Sequence, residues 1–378
     1  MNHRYASSSQ PVSDRAYMHA MRIAQGATKV HPQPEIQGDS DTPSLLRKTM
    51  RIFSAIIPWV VLLSIAVISL TLKMPPVQNE VNPKLLTPRD KFLDITVAPG
   101  GELFLSGPNG QILSSVDQGA NWILHSTGLD VRFQSIKAWD MKHVLAVGNG
   151  GMVATGLNQQ DKWEFHPVSV GEQSKLIGLA VKGEGHAWAV GDMGGIFYSP
   201  DYGSTWQRLR PVEDVTLNGV DFINSSTGVV VGEFGTILRT TDGGKTWSAY
   251  EKTTDLTLLD VAFTPAGKGV IVGQLGTVLI SDDAGASWQK LPSITQEHLL
   301  DVEWDATHDN WVVVGNKGVI CQAPTSQPVA WTTERLADGE LTWHTGIAAH
   351  DGAFYVAGET SGVSRNGRYS PFQAQAVR

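Results

Sequence analysis

The sequence predicts an all-β fold, a seven-bladed β-propeller preceded by a single transmembrane helix. Two features recur along the chain at steps of 41 to 43 residues, a glycine after an apolar run and a tryptophan further on. A period of about 40 to 45 residues with four short strands per repeat is typical of a propeller blade. The glycine occurs at Gly107, Gly148, Gly191, Gly232, Gly273, Gly315 and Gly358, and the tryptophan at Trp122, Trp163, Trp206, Trp247, Trp288 and Trp331, with Phe372 in the last position.

The repeat in residues 228–250, GVVVGEFGTILRTTDGGKTWSAY, indicates how each blade is built. Short β-branched runs bounded by glycine predict strands, so Gly232 to Gly235 predicts a tight hairpin turn between two of them. In the next turn Asp242 can accept hydrogen bonds from backbone N–H groups, and Gly244 permits a positive φ. Trp247 then supplies a large apolar surface against the blade. Each repeat therefore predicts a β-meander in which an Asp side chain of the repeat caps the backbone of its own turn.

The composition excludes some classes of function. A chain with a single cysteine, Cys321, forms no intramolecular disulfide. Residues 1–86 hold 9 Lys and Arg against 5 Asp and Glu, whereas residues 87–378 hold 20 against 32, a net charge of −12. An acidic propeller repels phosphate backbones, which argues against nucleic-acid binding.

The amino-terminal segment predicts a membrane anchor. Residues 52–72 contain no charged side chain, and 21 residues of helix span about 30 Å, the thickness of a hydrocarbon core. A signal peptide is the alternative, but about 50 residues precede the run and no small-residue cleavage site follows it. Seven basic residues precede the run, whereas residues 73–88 contain two. Because the more basic side of an anchor stays in the cytoplasm, this bias predicts a propeller on the other side of the membrane. We expect a disordered cytoplasmic tail (1–51), a transmembrane helix (52–72), a spacer (73–91) and a periplasmic propeller (92–378) on a bacterial inner membrane.

The second turn of four repeats carries a Ser/Thr-x-Asp-x-Gly-x-x-Trp motif. The motif is incomplete in the other three repeats. Asn158 and Ser326 replace the acid in two of them, and the last repeat has the irregular SRNGRYSPF. An acid in such a turn caps nearby backbone donors, so we expect a structural role rather than chemistry. The intact pairs are Asp117 with Trp122, Asp201 with Trp206, Asp242 with Trp247, and Asp283 with Trp288.

This motif is the Asp-box, or bacterial neuraminidase repeat. Together with strands such as VGEFGTIL at a 41-residue period, it makes the chain resemble the propellers of the photosystem II stability and assembly factor family, from about Phe92 to Phe372. The resemblance implies a propeller outside the membrane that helps a multi-subunit membrane complex to assemble or work. It also implies a candidate client for bacterial relatives without photosynthesis, transporters of the resistance-nodulation-division class. This chain would be a membrane-anchored bacterial form, with an acidic propeller where photosynthetic members have a basic arginine patch.

The innermost strands predict a central channel lined by small and acidic residues. Blades converge there and leave little room for side chains. The three acids of the ring, Asp94, Asp260 and Asp301, form a candidate axial cation site, or each bonds the backbone of a neighbouring blade. Sialidases also carry Asp-boxes, but they need arginines at the axis, and this ring contains none. The predicted ring is Asp94, Ser135, Gly178, Gly219, Asp260, Asp301 and Thr345.

The turns between the second and third strands predict a protein contact. Three successive repeats place an apolar residue at one turn position, and three such residues on one face would form a contact patch, unless they fold back on neighbouring loops. We therefore predict a protein-binding scaffold without catalytic residues or cofactor, with a glycan-binding or glycoside-hydrolysing propeller as the alternative. The predicted contact residues are Asp192, Met193, Glu233, Phe234, Gln274 and Leu275.

Overall fold

The computed structural model describes residues 56–64, 91–372 and 375–376. The chain divides into two units, Met1–Asn79 and Glu80–Arg378. In the first unit, residues 56–64 form an α-helix. Among the described residues, no helix is both long enough and apolar enough to span a membrane. The remainder of the predicted 52–72 span, the predicted tail and residues 73–90 of the predicted spacer lie outside the described residues.

The second unit confirms the seven-bladed propeller. Its strands form seven antiparallel sheets, and each sheet takes its four main strands from consecutive chain. Blades 1 and 2 have long outer strands. Blade 1 consists of β1 (Asp94–Val97), β2 (Leu103–Ser106), β3 (Gln111–Ser115) and β4 (Asn121–Ser126), and blade 2 of β5 (Phe133–Ala138), β6 (His143–Gly148), β7 (Met152–Gln159) and β8 (Lys162–Ser169).

Blades 3 to 5 share one pattern in which the Asp-box turn is followed by an outer strand of only two residues. Blade 3 consists of β9 (Leu176–Lys182), β10 (His186–Gly191), β11 (Ile196–Ser199) and β12 (Gln207–Arg208). Blade 4 consists of β13 (Leu217–Phe222), β14 (Gly228–Gly232), β15 (Ile237–Thr240) and β16 (Ser248–Ala249). Blade 5 consists of β17 (Leu258–Phe263), β18 (Gly269–Gly273), β19 (Val278–Ser281) and β20 (Gln289–Lys290).

Blades 6 and 7 complete the ring, and the chain then returns to blade 1. Blade 6 consists of β21 (Leu299–Asp305), β22 (Asn310–Gly315), β23 (Val319–Pro324) and β24 (Thr332–Arg335). Blade 7 consists of β25 (His344–His350), β26 (Ala353–Gly358), β27 (Gly362–Arg365) and β28 (Arg368–Pro371), and a final strand, β29 (Gln375–Ala376), follows.

The hydrophobic core lies between adjacent blades. The second strand of each blade is largely buried, and its apolar side chains pack against neighbouring blades. Between blades 3 and 4, for example, the Trp188 and Phe222 rings stack with centroids 3.7 Å apart. The innermost strands contact one another around the whole ring, including β25 against β1. This arrangement leaves a channel along the axis.

The ring closes at the outside of blade 1. There β29 pairs in parallel with β4 at Asn121 and Trp122. The ring of Phe372 packs edge-on against Trp122, with centroids 5.1 Å apart. The predicted alignment of Phe372 with the repeated tryptophan thus corresponds to a closing contact between the last and first blades.

Candidate protein-binding face and central channel

One end of the propeller, which we call the tip face, is formed by the turns between the second and third strands. In blades 3 to 5 the turn places an apolar residue in the left-handed region, with φ of 52° at Met193, 55° at Phe234 and 53° at Leu275. The glycine that follows is also left-handed, and at Gly235 an added Cβ would lie 1.8 Å from the Thr254 carbonyl oxygen. The turn geometry is therefore fixed, and it forces the preceding residue outward.

We call Met193, Phe234 and Leu275 the tip row. Their side chains are 46 %, 57 % and 46 % exposed, so they do not fold back into the neighbouring loops. The equivalent turns of blades 1, 2 and 6 carry Asn109, Gly150 and Lys317, and the blade 7 turn consists of Glu359, Thr360 and Ser361, so all four are polar or glycine. The exposed apolar tips are thus confined to three adjacent blades. Sequence reasoning missed Val212, which is 60 % exposed and precedes Glu213, whose amide donates to the Met193 carbonyl.

The residues beside the tip row have a local structural task. The Asp192 carboxylate accepts a hydrogen bond from the Lys175 amide (2.9 Å), and the Glu233 carboxylate accepts one from the Thr216 amide (2.8 Å). Gln274 makes a longer contact of the same kind, 3.4 Å from Thr257. Each joins the turn to the start of its own innermost strand. Their oxygens face these amides, and the apolar tips are left as the exposed part of the turn.

The central channel encloses about 430 Å³ and is lined by all seven innermost strands. Of the predicted acids, Asp94 is buried, whereas Asp260 and Asp301 are half-buried. Near the tip face four blades contribute apolar residues to the channel wall, Leu93, Ile177, Leu259 and Leu300, and the other three contribute Gln134, Asn218 and Thr345.

The channel acids join neighbouring blades. An Asp94 oxygen accepts hydrogen bonds from the Ser135 hydroxyl (2.7 Å) and the Ile136 amide (2.9 Å) of blade 2. Asp301 accepts one from the Ile347 amide of blade 7 (2.7 Å), and Asp260 a longer one from the Val302 amide of blade 6 (3.2 Å). The backbone-bonding alternative therefore describes their contacts.

Two channel residues that sequence reasoning missed lie two positions after the predicted ring. Lys137 Nζ is 4.0 Å from Asp94 Oδ2. Burial alone would lower the Lys137 pKa, but Asp94, Asp301, Glu303 and Asp260 outweigh it and hold the pKa above its ordinary value. Burial raises the pKa of Glu303 to about 8. Burial and the Asp301 charge raise the pKa of Asp260 well above its ordinary range. Lys137 is thus the counter-ion of a group of channel carboxyls.

The candidate cation site is not assembled. Within the described part of the chain, no three His, Cys, Asp or Glu side chains are grouped so that they could hold a metal ion. The predicted ring also needs one correction. Blade 7 contributes Gly346 rather than Thr345, because its first hairpin is shorter and Gly346 pairs with Ala357. A Cβ on Gly346 would lie 2.8 Å from the Asp94 Cα, which explains the small residue.

The acids of the four Asp-boxes accept equivalent hydrogen bonds. In blade 3, Asp201 Oδ1 accepts hydrogen bonds from the Ser199 hydroxyl and the Thr205 amide, both 2.8 Å, and Oδ2 accepts one from the Thr205 hydroxyl (2.7 Å). Hydrogen bonds from Thr246 and Thr240 lower the pKa of Asp242 to about 2. The box also contacts the preceding blade, since the Trp188 Nε1–H donates to the Gly243 carbonyl (3.0 Å). The other two boxes repeat these bonds at Asp117 and Asp283.

Comparison with known families agrees with this arrangement of boxes and blades. A family model described as photosynthesis system II assembly factor YCF48 matches residues 121–241 and, in a second match, 210–296. The propeller resembles the YCF48 family. The matched residues run from blade 1 into the loop after blade 5 and include three intact Asp-boxes. No curated protein matches the chain.

Solved structures show the same fold. The chain is similar to YCF48 bound to D1 peptide, with 19 % identity and a TM-score of 0.57 over 71 % of this chain and 89 % of that one. It is also similar to YCF48 from Cyanidioschyzon merolae, with 13 % identity and a TM-score of 0.59 over 77 % and 98 %. Because 1428 chains of solved structures match, the fold alone does not select a function. The names of these YCF48-like propellers do not mention a transporter.

Proposed function

We propose that this chain is a membrane-anchored propeller that binds a protein partner through its tip face and serves an inner-membrane complex as an assembly or accessory factor. The tip row carries the proposal. A non-glycine residue in the left-handed conformation costs about 1–2 kcal/mol, and an exposed apolar side chain gains nothing from burial in return. Three adjacent blades keep this unfavourable combination where other blades have polar residues or glycine. Burial of the tips against a partner accounts for it.

The membrane anchor is supported by residues 56–64. All nine side chains of this helix are exposed, and they include Trp59 at 73 % and Leu63 at 71 %. Its one hydroxyl, on Ser64, donates to the Val60 carbonyl within the helix (2.7 Å), and apart from the Trp59 indole N–H the other side chains of the segment are apolar. Such a surface is stable in a bilayer. The excess of basic residues before the helix supports a periplasmic propeller.

We expect the propeller to act by binding rather than by catalysis. The channel acids already accept backbone hydrogen bonds from neighbouring blades. In addition, Lys137 offsets their charge. A resistance-nodulation-division transporter is one candidate client among inner-membrane complexes, and identification of the captured protein decides between them.

The test is site-specific cross-linking in intact cells. A benzoyl-phenylalanine photo-cross-linker in place of Phe234 should give a discrete product with an inner-membrane protein, identified by mass spectrometry. The variant Met193→Glu/Leu275→Glu in the same protein should abolish that product, because burying unpaired charges at an interface costs several kcal/mol. The cross-linker at Val329, which is 63 % exposed in blade 6, is the matched control.

Two further measurements separate the parts of the proposal. Alkaline phosphatase fused after Arg378 should be active if the propeller is periplasmic, and an inactive fusion would reverse the proposed topology. Equal products from positions 234 and 329, or an undiminished product in the charged variant, would contradict binding through the tips. Thermal melts of each variant exclude loss of the product through unfolding.

A further inference from the structure

The outer strand of blade 1 has few of the features that protect strand edges. Outer strands β12, β16 and β20 are two residues long, whereas β4 has six and β8 has eight. The β8 strand carries Lys162, Glu164 and Pro167, which hinder edge-to-edge pairing. The β4 strand, NWILHS, contains neither a formally charged residue nor a proline. Its edge is therefore open to another strand.

This edge already accepts one. Strand β29 adds to β4 in parallel, but it pairs only with Asn121 and Trp122. Among the described residues, 123–126 have no partner strand on that side. Two side chains of this stretch are strongly exposed, Ile123 at 46 % and Leu124 at 43 %. Within the part of the chain that the structure describes, the backbone and the side chains of the stretch are thus both available.

A groove of about 810 Å³ lies between β4 and β8. Its apolar lining includes Ile123 and the exposed Val116 from blade 1, and the buried Trp163 and Phe165 from blade 2. His125 also lines it, 5.5 Å from the Phe165 ring, and burial lowers the pKa of His125 to about 4, so it is neutral near pH 7.

The charges at the groove are mainly acidic. Its lining includes three acids, Glu102, Asp161 and Glu164, and one lysine, Lys162. The Lys162 Nζ is 3.3 Å from Glu164 Oε1. A second copy of this chain would bring an identical acidic groove against it. A strand with basic side chains is complementary instead.

We propose that the outer edge of blade 1 binds an extended segment of a partner protein, with alternating apolar and basic residues, as an added strand on β4. Main-chain hydrogen bonds to residues 123–126 supply the pairing, apolar side chains enter the groove, and basic side chains face Glu102 and Glu164. This site is separate from the tip row and does not depend on the function proposed for it.

The test measures fluorescence anisotropy of a labelled peptide, KVKVTVK, with the full-length protein in detergent. Saturable binding is expected. The acidic peptide EVEVTVE should bind at least tenfold more weakly, and so should KVKVTVK with alternate amides N-methylated, since methylation removes strand pairing and keeps the side chains. These comparisons use the unaltered protein, so they do not depend on the folding of a variant.

The matched protein variants are Ile123→Lys, expected to weaken binding at least tenfold, and Val329→Lys, expected to leave it unchanged. Equal binding of the methylated or acidic peptide, or full binding by Ile123→Lys, would overturn the proposal, as would the absence of binding. A dimer by light scattering that Ile123→Lys dissociates, without peptide binding, would assign the edge to a second copy instead. Charged tip-row variants should bind the peptide normally, which distinguishes failure here from failure of the tip-face proposal.

Discussion

Replacing Lys137 with methionine should destabilise the propeller, and more so at high pH. Lys137 is the cation that offsets the charges of Asp94, Asp301, Glu303 and Asp260 in the channel. Methionine keeps an apolar stem of similar length without the charge. The carboxyl groups would then either ionise without a counter-ion or remain protonated, and both outcomes raise the free energy of the folded state relative to the unfolded chain.

The structure limits the size of this effect. Two charges 4 Å apart interact with about 1 kcal/mol in water and about 4 kcal/mol at an effective dielectric constant of 20, and the Lys137 to Asp94 distance is 4.0 Å. The Lys137 side chain is 34 % exposed to the channel, so water screens part of the interaction. We therefore expect Lys137→Met to lower the unfolding free energy by about 1–3 kcal/mol.

Urea unfolding at pH 9 and pH 6 tests this estimate. Glu303, with a pKa of about 8, is ionised in the folded protein at pH 9 and protonated at pH 6, so the loss should be larger at pH 9. Lys182→Met is the matched control, because its side chain is 33 % exposed and lies 3.3 Å from one acid, Asp221. A loss for Lys137→Met that is equal at both pH values, or no greater than that of Lys182→Met, would refute the reasoning.

Three other predictions concern the same structure. Because Glu303 binds its proton more tightly when folded, stability should fall as pH rises from about 4.5 to about 8, and Glu303→Gln should reduce that slope in melts at pH 5 to 9. The Asp-box acids have lowered pKa values, so the stability they supply should be lost as pH falls from about 4 to about 2. Asp242→Asn should therefore reduce the dependence of the melting temperature on pH over that range, and an unchanged dependence would contradict this. Phe234→Gly relieves the left-handed strain, and this gain is partly offset by a higher entropy of the unfolded chain. Urea unfolding should therefore show a free energy of unfolding about 0.5–1 kcal/mol higher. The same variant should bind the tip-row partner more weakly in a pull-down.

The repeat was predictable because each blade is specified locally. The turn glycines, the Asp-boxes and the β-branched strands act within about 25 residues, so the pattern in the sequence predicts them directly. The tip row was predictable for the same reason, since the position of Phe234 follows from Gly232 and Gly235. The alternative, in which the tip-row side chains are buried in neighbouring loops, could not be decided from the sequence. It depended on the conformation of linkers between blades, such as the one that carries Val212.

Features that depend on contacts between blades were less predictable. Asp94 and Ile136 are 42 residues apart, and the Asp94 contact with Lys137 requires the register of two adjacent blades. The small change in blade 7 that substitutes Gly346 for Thr345 comes from one shortened hairpin. The groove at β4 arises because blade 2 replaces its worn Asp-box with a tight turn at Gln160 and Asp161, both with positive φ, which lets β8 extend to eight residues.

The two proposed sites lie on different sides of the propeller and face different directions. The tip row lies at one axial end of blades 3 to 5, whereas the open edge of β4 lies at the periphery of blade 1. A partner that covers the tips along the axis leaves that edge accessible, so both sites can be occupied together and the propeller can join two protein segments. Anisotropy of KVKVTVK should then be unchanged after the tip partner is bound and cross-linked through position 234. Competition between the two would indicate that the partner extends over the rim to blade 1, and that the two surfaces form one interface.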